Sequence, residues 1–293
     1  MPLKYFMMAF MYVIEKELNH CKDELKNLPF QSDEANPDRP LKEYLKNKIE
    51  EKLSAIPESY YSQQLQLITD DDHTQTISFE AFKDFRIEKV YLREEIPDEL
   101  KKKLKKEKEN AVYTNPDLLL EIRYDNEEIA HQKIELKSTK NNSIPGSSIQ
   151  QINPDEWVIF VKHTSRSVDV TTGQYINAIN AKMRFPDRSP RPQVSFRELK
   201  NWNQKNRAVQ DSIVICRTDT EATEKRKLVE DWQQVLASRW INLLLGNPSV
   251  KKSEPWFHDT MRKFILMFLG EYDTFTPEEK DAFKSKIKTL IQK

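Results

Sequence analysis

The chain has 293 residues, with 47 lysines and arginines balanced by 47 aspartates and glutamates. This length suits one large domain or two modest ones, and zero net charge means that any attraction to nucleic acid must come from how the charges are distributed. The four glycines cannot form a Walker loop or a dinucleotide-binding fingerprint, which excludes the common nucleotide-cofactor enzymes and predicts no nucleotide cofactor.

The opening stretch, residues 3–14, is strongly apolar, but it includes Lys4 and continues into a charged segment. A membrane span needs about 18 consecutive apolar residues, so this pattern predicts a buried amphipathic helix and no membrane partner. Cys21 and Cys216 lie far apart and lack the spacing of metal ligands, which predicts two buried, reduced thiols. Together these features predict a cytoplasmic protein.

Residues 1–68 are predicted to form a helical N-terminal layer. An opening helix is expected to end near Lys26, and "LKEYLKNKIEEKLSAI" follows with apolar residues at helical spacing. Residues 220–293 are predicted to be helical again. Gly246 and Gly270 stand where helices are expected to end, and the last helix is expected to begin around Thr276, Pro277 and Glu279.

Residues 69–219 are predicted to hold the sheet core. The apolar runs "DLLLEIRY", "EIAHQKIEL", "EWVIFVKH" and "DSIVICR" are typical of strands, and a short helix is predicted to begin at Ser147 or Ser148 and to end before Pro154. This order predicts an α/β or mixed α+β fold. No internal repeat or long linker divides the chain, so a single domain is the simpler organisation, and two domains with a boundary near Thr220 are the alternative.

Three polar side chains are predicted to meet at the tip of two of these strands. Asp117 precedes the first run, while Glu135 and Lys137 lie at the end of the second. Residues two apart on a strand leave the same face, so Glu135 and Lys137 form a paired acid and ammonium group. A three-residue hairpin loop, 125–127, would place Asp117 opposite Glu135, whereas a two-residue loop would pair Asp117 with Leu136.

Two neighbouring carboxylates repel each other, and a hard cation between them removes the repulsion. Carboxylate oxygens together with waters are ligands that Mg²⁺ accepts. A magnesium ion held by Asp117 and Glu135 could polarise a phosphate oxygen and activate a water, with Lys137 orienting that water or stabilising the negative charge on phosphorus. The predicted reaction is phosphodiester hydrolysis.

The whole order of segments, from Pro116-Asp117 through two apolar strands to Glu135-Leu136-Lys137 and a third strand, resembles the PD-(D/E)xK nuclease superfamily, particularly type II restriction endonucleases. The resemblance extends over residues 110–163. It implies a restriction-endonuclease-like central mixed sheet flanked by helices, with helical additions at both ends. It also implies Asp117 and Glu135 as magnesium ligands and Lys137 as the catalytic lysine.

Many members of this superfamily add an upstream acid to the site, and four glutamates are candidates here: Glu80, Glu88, Glu107 and Glu109. Gln150 or Gln151 either contacts the site or lies on the face of the predicted short helix. Two segments are predicted to contact DNA. One follows the catalytic strand, and the other is a proline-stiffened loop whose arginines could read guanine. Their residues are Lys140, Asn141 and Asn142, and Arg184, Arg188 and Arg191.

A further DNA-binding candidate is "KNWNQKNR", in which basic residues surround Trp202.

The resemblance predicts a sequence-specific restriction endonuclease that cuts double-stranded DNA as a homodimer, because two sites related by a twofold axis cut both strands of a palindrome. One alternative is a structure-selective repair or recombination nuclease of the same superfamily. Another is a non-catalytic binding or scaffold protein in which Glu135 and Lys137 form an exposed ion pair.

Overall fold

The protein is described by a computed structural model that covers residues 3–29, 38–69, 73–106, 116–124, 128–149, 152–183, 192–217, 223–245 and 256–291. The chain divides into two compact units, Met1–Trp232 and Gln233–Lys293. The boundary falls within the part predicted to be helical, after the first helix of that part. The single nuclease domain stays a prediction.

The described residues combine helices and strands, which confirms a mixed α+β class. The helices are α1 (Leu3–His20), α2 (Lys22–Lys26), α3 (Arg39–Lys52), α4 (Asp98–Lys106), α5 (Tyr175–Ala178), α6 (Phe196–Asn206), α7 (Thr223–Glu230), α8 (Trp232–Leu244), α9 (Trp256–Asp273) and α10 (Pro277–Ile291). The strands are β1 (Gln64–Ile68), β2 (Thr74–Ser78), β3 (Arg86–Leu92), β4 (Leu118–Tyr124), β5 (Glu128–Thr139), β6 (Ser143–Pro145), β7 (Trp157–His163), β8 (Val168–Gln174), β9 (Ile179–Met183), β10 (Pro192–Ser195), β11 (Arg207–Gln210) and β12 (Ile213–Arg217).

The central sheet of the first unit has five described strands in the order β3-β4-β5-β7-β8. The pair β5 and β7 is parallel, and the other neighbours are antiparallel. Three of the apolar runs predicted as strands are β4, β5 and β7. The fourth run is β12, which belongs to a separate four-stranded sheet in the order β11-β12-β1-β2.

The predicted helical layer over residues 1–68 is wrong at its end, because residues Gln64–Ile68 form β1. These residues alternate in burial and pair in parallel with β12. The opening helix also differs from its prediction, because it is interrupted at Cys21 between α1 and α2. Cys21 and Cys216 are half-buried free thiols rather than fully buried ones.

Helix α1 is the centre of the core. It is apolar around most of its circumference, as expected of a helix that is covered on several sides, and Phe6 and Phe10 are fully buried. Near its C-terminal end, α1 covers the edge strand β8: the N–H of Val170 donates to Asn19 Oδ1 at 3.2 Å, and the N–H of Thr172 donates to Glu15 Oε2 at 2.7 Å. These bonds satisfy backbone groups that an uncovered edge would leave unpaired.

The connection from β5 to β7 includes 3₁₀ geometry at Ile149, directly after Ser148, where the sequence predicts the start of a short helix. Its described residues contain β6, which pairs with β10, and a single turn in which the N–H of Ile152 donates to the carbonyl of Ile149. Gln150 and Gln151 lie outside the described residues.

The second unit contains α9 and α10. Thr276 and Glu279 form a reciprocal capping box at the start of α10, with N···O distances of 2.8 and 3.3 Å, which confirms the predicted helix start. The predicted stop at Gly270 is wrong, because α9 continues to Asp273, and Gly246 lies outside the described residues. Among the helices that the structure describes, none has the length and apolar character needed to cross a bilayer.

Candidate catalytic site

Asp117 is held at the start of β4 by the hairpin between β4 and β5. The register pairs Tyr124 with Glu128 and Leu118 with Ile134, so the connection has three residues, which is the first of the two alternatives that the sequence leaves open. If the pairing is continued one residue beyond Leu118 and Ile134, Asp117 lies opposite Glu135. The Asp117 side chain accordingly reaches β5, where its Oδ2 accepts a hydrogen bond of 3.0 Å from the N–H of Leu136.

The Asp117 carboxylate is buried, with 6% of the residue exposed, and it has cationic partners. Lys42 of α3 places its Nζ 2.7 Å from Oδ1, and Nη2 of Arg93 lies 3.4 Å from the same oxygen. Burial alone would raise the pKa of Asp117, but Lys42, the N–H of Leu136 and Lys137 outweigh it and lower that pKa below its ordinary value. Asp117 is therefore ionised at neutral pH.

Glu135 and Lys137 leave the same face of β5, as predicted, while Ile134 and Leu136 enter the core on the other face. The Lys137 ammonium contacts Glu135 Oε1 directly, and both side chains are 14% exposed. The hydroxyl of Ser147 donates to the same Glu135 oxygen at 3.1 Å, and it lies 3.4 Å from Lys137 Nζ. A carboxylate, an ammonium group and a hydroxyl therefore form one hydrogen-bonded cluster.

Lys137 is protonated in this cluster. Burial alone would lower the pKa of its ammonium group, but the adjacent carboxylate of Glu135 outweighs burial and raises that pKa above the ordinary value. The ammonium also lies 6.0 Å from the ring centroid of Tyr175, within the range of a cation–π interaction. Lys137 is thus suited to stabilising negative charge and unsuited to accepting a proton.

The backbone around Gly146 forms one wall of the site. The N–H of Ser147 donates to the hydroxyl of Tyr175 at 3.1 Å, and the N–H of Gly146 donates to the carbonyl of Pro192 at 2.8 Å. A Cβ on Gly146 would lie 2.6 Å from that carbonyl oxygen and 3.0 Å from the Tyr175 hydroxyl. Position 146 requires glycine because the carbonyl of Pro192 lies so close to its backbone. This contact positions Ser147 beside Glu135.

The two carboxylates have the donor chemistry of a magnesium site, because Mg²⁺ often binds one or two protein carboxylates and completes its shell with water and substrate phosphate. Within the described ranges, no group of three or more acidic, histidine or cysteine side chains could hold a metal ion. A magnesium ion bound here would have two protein ligands, Asp117 and Glu135. The present partner of Asp117 Oδ1 is Lys42, so metal binding at that oxygen would displace its ammonium group.

The predicted upstream acids do not join the cluster in the described part of the chain. Glu88 pairs with Arg123 at 2.7 Å on an exposed face, and Glu80 lies in the short 3₁₀ turn after β2. Glu107 and Glu109 lie outside the described residues. Helix α3 reaches the site, but it contributes a cation, Lys42, instead of an acid.

The predicted DNA-contacting segment after β5 is exposed and lies close to the cluster in sequence. Lys140, Asn141 and Asn142 follow the end of β5, and Lys162 Nζ lies 2.6 Å from Asn142 Oδ1. The arginines of the second predicted segment, Arg184, Arg188 and Arg191, lie outside the described residues.

Sequence reasoning missed Lys42, Arg93, Ser147 and Tyr175 as members of the site. Lys42 is one of several lysines on α3, and nothing in its spacing distinguishes the one that reaches Asp117. The sequence indicates Ser147 as a helix cap, or as one of several hydroxyls near the phosphate, but not as a partner of Glu135. Tyr175 lies 38 residues after Lys137 in the numbering, so its contact depends on how β7 and β8 return the chain to β5. Comparison of the chain with family models, with curated proteins and with solved structures finds no match.

Proposed function

We propose that the protein is a magnesium-dependent endonuclease that hydrolyses phosphodiester bonds of double-stranded DNA, of the type II restriction kind. The observation that carries the proposal is the hairpin register, which brings the buried carboxylate of Asp117 to the backbone of Leu136, between Glu135 and Lys137. The same three side chains form the sequence pattern that resembles the PD-(D/E)xK superfamily.

The chemistry divides between a bound metal ion and the side chains of the chain. Magnesium on Asp117 and Glu135 would supply Lewis acidity toward a phosphate oxygen and toward a water. In hydrolysis the water oxygen bonds to phosphorus as a bridging P–O bond breaks, and negative charge builds up on the non-bridging oxygens. Lys137, which is protonated and held by Glu135, would stabilise that charge.

Lys42 and Arg93 add positive charge beside the same carboxylate. Both are able to form charge-assisted hydrogen bonds with a phosphate oxygen. When a DNA phosphate enters, Lys42 could exchange its contact with Asp117 for one with the phosphate. Lys140, Asn141 and Asn142 would contact the backbone next to the cut, and the arginines at 184, 188 and 191 would read base edges.

A second candidate function is a non-catalytic binding or scaffold protein. The observation that favours it is that both oxygens of Asp117 already accept hydrogen bonds, one from Lys42 and one from the N–H of Leu136. Glu135 is likewise paired with Lys137. Such a network is electrostatically satisfied without a metal, and a structural role would need nothing further.

The deciding experiment is incubation of the purified protein with long duplex DNA, with Mg²⁺ or with EDTA, followed by electrophoresis. The proposal predicts discrete fragments that require Mg²⁺. A structure-selective repair nuclease would cut branched substrates and would give no discrete fragments from a linear duplex. DNA that stays intact across many substrates would favour the scaffold function.

The matched variants are Lys137→Ala at the site and Lys102→Ala on the exposed face of α4. We expect Lys137→Ala to lower the cleavage rate by about 10³-fold or more, because the transition state loses a fixed cation, while binding of DNA and the circular dichroism spectrum persist. Lys102→Ala should cleave at the wild-type rate. Full activity of Lys137→Ala would refute the role of this lysine.

A further inference from the structure

A second concave site lies in the unit Met1–Trp232, away from the candidate catalytic cluster. It is a cavity of about 230 Å³ between α1, the turn from β8 into α5, and α6. Trp157 lines it and packs with the core cluster that contains Ile134 and Leu136, on the sheet face opposite Glu135 and Lys137. The cavity is therefore separate from the cluster that was assigned to phosphodiester hydrolysis.

Asn177 gives the first indication of a ligand. This residue is 7% exposed and lines the cavity. Within the part of the chain that the structure describes, its side-chain amide forms no hydrogen bond, and it is not among the polar atoms that are buried without a partner, so the amide is open to the cavity. An amide of this kind, open to a cavity, offers one donor and one acceptor side by side to a bound molecule.

The charge of the lining indicates an anion. Four basic residues line the cavity, and Asp155 is the acid among the described lining residues. Two of the four cations are neutralised: Arg226 contacts Asp155 at 2.6 Å, and Arg207 pairs with Glu15. The other two, Lys4 and Arg217, have no acidic partner among the described residues. The cavity thus carries uncompensated positive charge at an exposed rim.

Aromatic side chains complete the lining. Trp157 and Trp202 border the cavity, and Trp202 is the aromatic residue of the basic segment on α6 that the sequence indicates as a DNA-binding candidate. Tyr12 also lines the cavity, but it is buried and Arg207 lies over its ring. Nucleobases stack on such rings, and a side-chain amide pairs well with the donor and acceptor edge of adenine. The volume of about 230 Å³ is below the usual range of about 300–1,000 Å³ for drug-sized ligands, which favours a small ligand.

From the unpartnered amide, the positive rim and the aromatic lining, we propose that this cavity binds a nucleoside monophosphate. The base would lie among the aromatic rings and Asn177, and the phosphate would lie at Lys4 and Arg217. No glycine-rich phosphate loop is involved, so the proposal is compatible with the scarcity of glycine in the chain. The ligand would be a bound effector and not a cofactor of phosphodiester hydrolysis.

The test is isothermal titration of the full-length protein with AMP, GMP, CMP and UMP, and separately with adenosine and with inorganic phosphate. We expect one-to-one binding of at least one monophosphate with a Kd of about 1–100 μM. Adenosine should bind about tenfold or more weakly than AMP, because it lacks the charged group. Failure of all four monophosphates to saturate would overturn the proposal, and so would equal affinity for inorganic phosphate alone.

Three variants locate the site, and none of them alters the candidate catalytic cluster. Lys4→Gln and Arg217→Gln change exposed side chains and should each weaken monophosphate binding about tenfold. Asn177→Ala should also weaken monophosphate binding, and it should reduce the differences in affinity between AMP, GMP, CMP and UMP. Arg166→Gln, at an exposed position that does not line the cavity, is the control and should bind as the wild type does. Unchanged affinity in both Lys4→Gln and Arg217→Gln would overturn the location, whatever the outcome of the DNA cleavage assay.

Discussion

At the scale of single residues, the candidate site is a set of buried charges that stabilise one another. Asp117 has partners on three segments: Lys42 on α3, Arg93 after β3 and the backbone of Leu136 on β5. A buried carboxylate is tolerated only when it is paired and hydrogen-bonded. The same partners that would hold Asp117 ready for a metal ion therefore also tie α3 to the central sheet.

Removing Lys42 should be costly for stability. In Lys42→Ala, Asp117 keeps its burial and loses its closest cation, so we expect the free energy of unfolding to fall by about 3–5 kcal/mol. Urea denaturation at pH 7 measures the change. The matched control is Lys46→Ala on the same helix, whose partner Glu95 is more exposed, and it should cost about 1 kcal/mol or less. Equal losses of unfolding free energy in Lys42→Ala and Lys46→Ala would contradict a stabilising buried ion pair between Lys42 and Asp117.

Asp117 should also contribute to the acid sensitivity of the fold. Because its pKa is lowered in the folded protein, its contribution to stability is fully present above its unfolded pKa of about 3.9 and is lost as the pH falls toward the folded value. In Asp117→Asn this component is absent. Unfolding free energies measured from pH 5 downward should therefore decline less steeply in the variant than in the wild type. If the two proteins lose stability in parallel as the pH falls, Asp117 does not contribute to the acid sensitivity.

At the scale of secondary structure, the hairpin of β4 and β5 and the segment between β5 and β10 create the cluster. The three-residue loop sets the register that brings Asp117 to Leu136. The pairing of β6 with β10 then brings Gly146 and Ser147 against Tyr175 and Glu135. The geometry of the site is thus a consequence of backbone pairing, and small backbone shifts should disturb it.

Two glycines give a matched test of this dependence. In Gly146→Ala the new methyl group would lie 2.6 Å from a backbone oxygen, so the backbone must move, and we expect a loss of about 1–3 kcal/mol together with lower cleavage activity. In Gly270→Ala nothing lies within 4 Å of the new methyl group, and the residue is inside α9. That variant should gain about 0.5–1 kcal/mol in thermal or urea unfolding.

At the scale of the whole molecule, the second unit exposes apolar side chains that a homodimer could bury. On α9, Leu266 is 71% exposed and Met267 is 74% exposed, and Leu290 and Ile291 are exposed on α10. Apolar patches of this kind often mark association surfaces. The homodimer, which the proposed cleavage of both DNA strands would require, stays a prediction.

Light scattering coupled to size exclusion would measure the oligomeric state directly. If these helices form the interface, the wild type should elute with the mass of two chains, and Leu266→Glu should elute with the mass of one, because a charge cannot be buried there without a partner. Lys263→Ala, on the same helix, should stay dimeric. A wild-type protein that is monomeric at micromolar concentration would remove the dimer from the proposal.

The sequence by itself determined the mixed α+β class, the strands β4, β5, β7 and β12, the capping box at Thr276 and the shared face of Glu135 and Lys137. These features follow from periodicities and capping signals that act over a few residues. The loop length on which the position of Asp117 depends was left open between two and three residues, and the register of β4 and β5 decided it.

Only the tertiary structure decided which distant residues complete the site. Lys42 reaches Asp117 across 75 positions, and Tyr175 reaches Lys137 across 38, and no local pattern encodes either contact. The same reason explains why the local pattern does not predict β1, whose strand partner β12 is distant in the sequence. Strand partners, buried ion pairs and close backbone contacts are chosen by packing between segments, which local propensity does not specify.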